Sequence, residues 1–200
     1  MMARLIAFLA RVFTGATSRW RGCAPEPRLR IYFANHTSNL DFLLLWISLP
    51  GQLRARTRPI AAHDYWTGDP LRRWLASSVF RAVLIERKKV TRENSPLVPM
   101  CAALRDGDSL IIFPEGGRNT SGEVGEFKPG LHHLAREFPE VELVPVFIEN
   151  LNRVLPKGEF LPVPILCSVY FGPPLRLEPD ETKSDFLVRA RNAVLALRDP

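Results

Sequence analysis

An α/β layered fold, with a largely parallel or mixed central sheet flanked by helices, is predicted from three features of this chain. Short alternating or fully apolar runs of strand type are separated by stretches with helical spacing, the pattern that builds helix-covered sheets. Polar residues gather directly after three of those strands, at His36, Arg87 and Glu115, where open α/β sheets bind ligands beyond strand ends. Finally, 200 residues at 46% hydrophobic can bury one substantial core. A single domain over 25–200 is therefore expected, preceded by an N-terminal amphipathic segment over 1–24.

In that first segment Met2, Leu5, Ile6, Leu9 and Phe13 recur at helical spacing, with Arg4 and Arg11 beside them. It resembles a short secretory leader, but Arg11 interrupts the apolar run and no small-residue cleavage site follows, so it is read as part of the mature chain. Two placements suit such a helix, packing on its own domain or lying at a membrane surface. No 18-residue stretch is continuously apolar, so no membrane-spanning helix is expected.

"LRIYFAN" at 29–35 reads as a strand entering a polar turn, and "SNLDFLLLWISL" at 38–49 as a helix capped by Thr37, Ser38 or Asn39. Residues 50–70 hold Pro50, Gly51, Pro59, Gly68 and Pro70 and are expected to be loop plus a short strand, "TRPIAA". A helical stretch and a strand follow over 70–85, then a helix over 96–108 closing near Gly107. Ser109 to Phe113 is a compact apolar strand. A helix over 130–138 begins after Pro129, strands follow at 141–148 and within 165–175, and an amphipathic helix over 181–197 closes the sequence.

The net charge of +6 is concentrated in the basic first half, and the second half is net acidic. A basic face attracts nucleic acid, an anionic bilayer or a phosphorylated substrate alike. With no zinc-finger cysteine spacing, long basic helix or aromatic ladder, nucleic acid is not expected as a partner. Cys23, Cys101 and Cys167 are far apart, which fits reduced thiols rather than a disulfide framework or a metal site.

His36 and Asp41 are five positions apart, so on one ideal helix they would lie about 140 degrees apart around the axis. They can meet if His36 belongs to the incoming turn and Asp41 to the first helical turn. The carboxylate would then fix the imidazole tautomer and leave the other nitrogen to accept a proton from a substrate hydroxyl. Read alone, the pair also fits capping and surface hydrogen bonds. The stretch "IIFPEGGRNT" at 111–120 tips the balance toward chemistry. Gly116 and Gly117 permit close approach or positive φ, and Arg118 offers a fork for phosphate. Glu115 has two candidate roles, orienting Arg118 or binding a substrate hydroxyl.

Taken together, these stretches resemble the glycerophospholipid acyltransferase family, the group containing lysophosphatidic acid acyltransferases. "NHTSNLD" is similar to the family's Asn-His-x-x-x-x-Asp block, which implies His36 as catalytic base and Asp41 as its aspartate. "VLIERKK" at 83–89 resembles the second block and implies a phosphate-binding role for Arg87. "FPEGGRNT" at 113–120 resembles the third and implies acceptor binding by Glu115, Gly116 and Arg118. "VPVFI" at 144–148 resembles the fourth, centred on Pro145. "FKPG" at 127–130 resembles a segment that often follows the third block, with Lys128 assisting phosphate or donor binding. There are three departures: Gly117 stands where threonine is common, Asn119 stands where serine is, and Leu84 and Ile85 fill two positions of which one usually holds an aromatic.

The resemblance implies transfer of a fatty acyl group from acyl-CoA or acyl carrier protein to 1-acyl-sn-glycerol-3-phosphate, without cofactor or metal, at the cytoplasmic face of a membrane. Another lysolipid acceptor, such as a lyso-ornithine lipid, is the alternative that Gly117 favours; a non-catalytic lipid-binding protein is the other. His63, His132 and His133 are read as structural or surface histidines, and Trp46, Trp66 and Trp74 chiefly as core residues.

Overall fold

The computed structural model describes residues 2–86, 94–119, 123–149 and 167–198. Among the described residues seven strands form one sheet: β1 (Thr17–Trp20), β2 (Arg30–Ala34), β3 (Thr57–Ala62), β4 (Val83–Ile85), β5 (Ser109–Ile112), β6 (Glu142–Glu149) and β7 (Ser168–Phe171). Their order is β1-β7-β6-β2-β5-β3-β4. From β6 through β4 every pairing is parallel, while β7 runs antiparallel to β6 and β1 parallel to β7. The sheet is thus mixed and mainly parallel, as the alternating pattern predicts.

Both faces of β2 are covered, which is why it reads as an unbroken apolar run rather than a half-polar one. Ile31 and Phe33 face one core with Leu104, Leu110, Leu131, Leu134 and Phe186, while Tyr32 and Ala34 face a second with Leu44, Leu45, Ile47 and Phe171. The first core is roofed by α6 (Leu97–Arg105), α7 (Gly130–Glu137) and α8 (Lys183–Leu195). The second is roofed by α1 (Met2–Thr14), α2 (Asp41–Ser48) and α3 (Gly51–Ala55). Each fully buried Phe or Leu in these layers contributes about 1.5–3 kcal/mol relative to exposure.

Helix α1 uses its two faces differently. Ala7 is buried in the second core, Ile6 and Ala10 pack against it, and the Arg11 guanidinium donates to the Ile47 carbonyl at 2.6 Å. Met2, Leu5, Phe8, Leu9 and Val12 remain exposed.

Three local expectations are corrected. Helix α2 begins at Asp41, not Ser38, and its N-cap Leu40 makes no side-chain capping bond. The Asp41 carboxylate instead takes the N–H groups of Thr37 and Ser38, so the capping logic runs backwards from the helix into the loop. Residues 50–70 hold two short helices besides the strand, α3 and α4 (His63–Thr67), because Gly and Pro here punctuate helical turns. Beyond them, α5 (Pro70–Trp74) has Asp69 as N-cap and continues into a π-helical turn, Leu75–Val79, before β4. Strand β1 has no apolar alternation in sequence. Backbone pairing with β7 creates it, and Trp20 stacks on Phe171 at 3.9 Å between ring centroids.

Since β2, β3, β4 and β5 run parallel, the residues after their C-terminal ends emerge at the same end of the sheet. His36, His63, Glu86 and the Phe113–Gly117 loop are gathered there by topology.

Candidate active site

Asn35 closes β2 with a pair of bonds that continue the ladder through a side chain. Its Nδ2 donates to the Ile148 carbonyl at 3.0 Å and its Oδ1 accepts the Ile148 N–H at 2.8 Å. That fixes where the chain turns, and His36 is the next residue. Sequence reading singled out no role for Asn35; its only signal was its place in the resembling block.

The His36 Nδ1 lies 2.8 Å from Asp41 Oδ2, so the two groups do meet, as the incoming-turn geometry predicts. The same oxygen accepts from Thr37 N at 2.6 Å and Ser38 N at 2.8 Å. Asp41 is fully buried and its Oδ1 has no hydrogen-bond partner among the described residues. Because Oδ2 is an acceptor for two amides, it calls for a donor at Nδ1, which leaves Nε2 as the basic nitrogen. The imidazole stacks on Phe113 with centroids 4.3 Å apart, and one fifth of its side-chain area stays exposed.

His36 opens on a cavity of about 380 Å³, within the usual range for small-ligand sites. Phe42, Ile60, Trp66, Ile85, Met100 and Leu134 line its apolar depth. Gly116, Gly117, Arg118 and Lys128 line its polar rim. Gly116 is needed for two reasons. Its φ is +69°, and a Cβ there would lie 2.6 Å from Lys128 Nζ, so the lysine side chain folds across the bare glycine. At Gly117 a Cβ would meet nothing within 4 Å. Arg118 and Lys128 are exposed, and among the described residues neither pairs with a carboxylate.

Glu115 departs from one expectation: it does not orient Arg118. Its Oε1 accepts the His36 N–H at 2.8 Å and its Oε2 the Gly125 N–H at 2.9 Å. Two amides within reach draw the carboxylate inward, away from the guanidinium. Arg87 lies outside the described residues; its neighbour Glu86 meets His63 at 3.2 Å, on side chains that are about half exposed. None of the other histidines or the cysteines lines the cavity. Cys167 is fully buried, and burial, with Asp41 and Glu149 nearby, pushes its thiol up to about 11. No metal-binding cluster is present among the described residues.

A hydrogen-bonded imidazole–carboxylate pair, an apolar cavity and a cationic rim now stand together, in the segment that the four sequence blocks cover. A protein-family model described as Acyltransferase matches residues 24–149, more than half of the sequence. The chain belongs to the acyltransferase family. That match carries the whole His36–Asp41 loop, the Glu115–Lys128 rim and Arg87 inside this acyltransferase domain. The chain is 31% identical over 179 residues to the 1-acyl-sn-glycerol-3-phosphate acyltransferase alpha of Homo sapiens, covering 86% of this chain and 60% of that one. It is 24% identical over 172 residues to the 1-acyl-sn-glycerol-3-phosphate acyltransferase of Limnanthes douglasii, covering 82% and 56%. It therefore spans somewhat under two thirds of the length of these relatives. The crystal structure of the 1-acyl-sn-glycerophosphate acyltransferase from Thermotoga maritima superposes with a TM-score of 0.77 at 20% identity, covering 99% of this chain and 78% of that one. That likeness shows the fold, a mixed sheet flanked by helices.

Proposed function

We propose that this acyltransferase-family chain moves a fatty acyl group from an acyl thioester to a free hydroxyl of a lysophospholipid, with 1-acyl-sn-glycerol-3-phosphate as acceptor and phosphatidic acid as product. The observation that carries the reading is the His36 imidazole, held by Asp41 at 2.8 Å, opening on an apolar cavity rimmed by two cations that have no carboxylate partner among the described residues. Nε2 of His36 takes the hydroxyl proton as that oxygen attacks the thioester carbonyl. The C–S bond then breaks, and the departing thiolate takes the proton from the imidazolium. Asp41 supports the positive ring meanwhile. The N–H groups of Gly117 and Arg118, which have no partner among the described residues, are the proposed donors to the intermediate's oxyanion. Arg118, Lys128 and Arg87 are proposed to hold the acceptor phosphate, with the apolar depth taking an acyl chain.

Either acyl-CoA or acyl carrier protein serves this chemistry as donor. No helix of the described residues is long and apolar enough to cross a membrane. Peripheral contact is proposed through the exposed apolar side of α1 and through Leu71 and Trp74 of α5, next to Arg72 and Arg73. The cytoplasmic face is the proposed side, in keeping with three free cysteines. The open space at Gly117 favours a second acceptor class, a lysolipid with a bulkier head group such as a lyso-ornithine lipid.

The test is thiol release by the purified chain with palmitoyl-coenzyme A or acyl carrier donor and lysophosphatidic acid or lyso-ornithine lipid, products identified by mass. Phosphatidic acid formation that falls about 10³-fold in His36→Ala is expected. Turnover of the ornithine acceptor alone would replace the acceptor. Lipid binding without transfer across the panel would sink the enzymatic reading and leave a lipid-binding protein.

A further inference from the structure

We infer that Glu115 is a positioning residue for His36, a clip between the catalytic loop and Gly125, and that it does not touch the acceptor. The inference rests on the proposed role of His36 as the base. It assigns Glu115 differently from the acceptor-binding role that the block resemblance implies.

Four observations carry it. First, both Glu115 oxygens are committed to main-chain donors, His36 N at 2.8 Å and Gly125 N at 2.9 Å, each a charge-assisted bond. Second, Glu115 does not line the cavity, although its neighbours Pro114, Gly116, Gly117 and Arg118 do. Third, the space behind it is closed: a Cβ on Gly125 would lie 2.8 Å from Glu115 Oε2 and 3.3 Å from Asn119 Nδ2. Gly125 thus admits the carboxylate by having no side chain, and not through a left-handed backbone. Fourth, the His36 carbonyl accepts the Asn119 N–H at 2.8 Å. The peptide groups on both sides of the His36 Cα are therefore gripped by the Pro114–Asn119 loop.

The clip is anchored from the far side of the domain. Arg191 on α8 donates to the Val124 carbonyl at 2.7 Å and 3.0 Å and to the Gly125 carbonyl at 3.1 Å. Asp41 sets the ring through Nδ1, and Glu115 sets the backbone from which the ring projects. A base displaced by a fraction of an ångström loses its line to the hydroxyl, and misplacement of about 1 Å costs roughly 10²-fold in rate.

The experiment pairs Glu115→Gln with Gly125→Ala. The glutamine is close in shape but can accept with only one oxygen and turns an NH₂ toward a second N–H. The alanine leaves Glu115 intact and crowds its carboxylate from the side away from the cavity. Each variant is expected to lower kcat by about 10–100-fold while the acceptor KM stays within about twofold. In ¹⁵N-labelled protein, amide exchange at His36 and Gly125 should accelerate in Glu115→Gln with the thermal midpoint monitored in parallel. If Glu115→Gln fails to fold, Gly125→Ala carries the kinetic test alone. A raised acceptor KM in Glu115→Gln beside wild-type kinetics in Gly125→Ala would overturn the clip. Unchanged exchange at both amides would overturn it as well. Should the wild-type chain transfer no acyl group to any acceptor, the acyltransfer reading falls, and amide exchange by itself decides whether the clip exists.

Discussion

His36 stands in a loop where its N–H, its carbonyl and Nδ1 all have partners within 2.8 Å, whereas Arg118 and Lys128, across the same cavity, are exposed and have no carboxylate to pair with among the described residues. The contrast fits the roles proposed for the two sides. A proton-transferring group must be in place before substrate arrives, because its rate depends on sub-ångström alignment. A group that grips a phosphate gains by waiting in solvent, since a prior ion pair would have to be broken first. On those proposed roles the groups of His36 are held from within, and the rim awaits its ligand.

Breaking the satisfied side is expected to have the largest effect. In Asp41→Asn the amide nitrogen must face either the His36 ring or the two loop amides, so the tautomer and the loop cannot both be kept. We predict a loss of about 10³-fold in kcat together with a lower thermal midpoint. A kcat within tenfold of wild type would show that the pair is a capping device. On the open side, Arg118→Ala should raise the acceptor KM by about 10–100-fold, the equivalent of a charged hydrogen bond worth about 1.5–3 kcal/mol, with kcat little changed. The variant should also lose much of the salt sensitivity of acceptor binding. A rise in the donor KM alone would move the cation to the thioester's carrier and blur the contrast.

The smallest predicted effect lies on α7, where His132 packs against Phe186 of α8. His132 is buried there, its Nδ1 lacks a partner among the described residues, and burial helped by His133, Arg136 and Lys183 lowers its pKa, against a smaller opposing pull from Glu181. A histidine whose folded pKa is depressed binds its proton more readily in the unfolded chain. Its stabilising contribution is therefore complete above about pH 6.5 and is lost as pH falls through the folded value. His132→Leu should shallow the fall in thermal midpoint between pH 7.5 and pH 5 by a few degrees. An unchanged slope would remove His132 from the acid response, and a steeper one would reverse the sign assigned to it.

Much of the chemistry was legible from local spacing. His36 and Asp41 were read as a pair that meets only across a turn-to-helix junction, and they do. Gly116 and Arg118, read as acceptor-binding positions, and Lys128, reached only through the family resemblance, all line the cavity. What went unread at Glu115 was its partner, because His36 lies 79 positions away and no periodicity links the two. Asn35 was missed for the same reason, its partner Ile148 being 113 positions distant. Strand β1 was missed because exposed Thr17, Ser18 and Arg19 show no alternation of their own.

By itself, the sequence determined the residue types at the reacting centre, the strand-helix alternation and the membership of an acyltransferase family, since each is written within a few turns or one block of chain. The tertiary structure alone decided strand order, the cavity, and the assignment of the Glu115 carboxylate to a backbone clip. Those depend on which strands lie side by side, and side-by-side pairing is settled by the burial of both sheet faces at once, a property of the whole chain that no short segment contains.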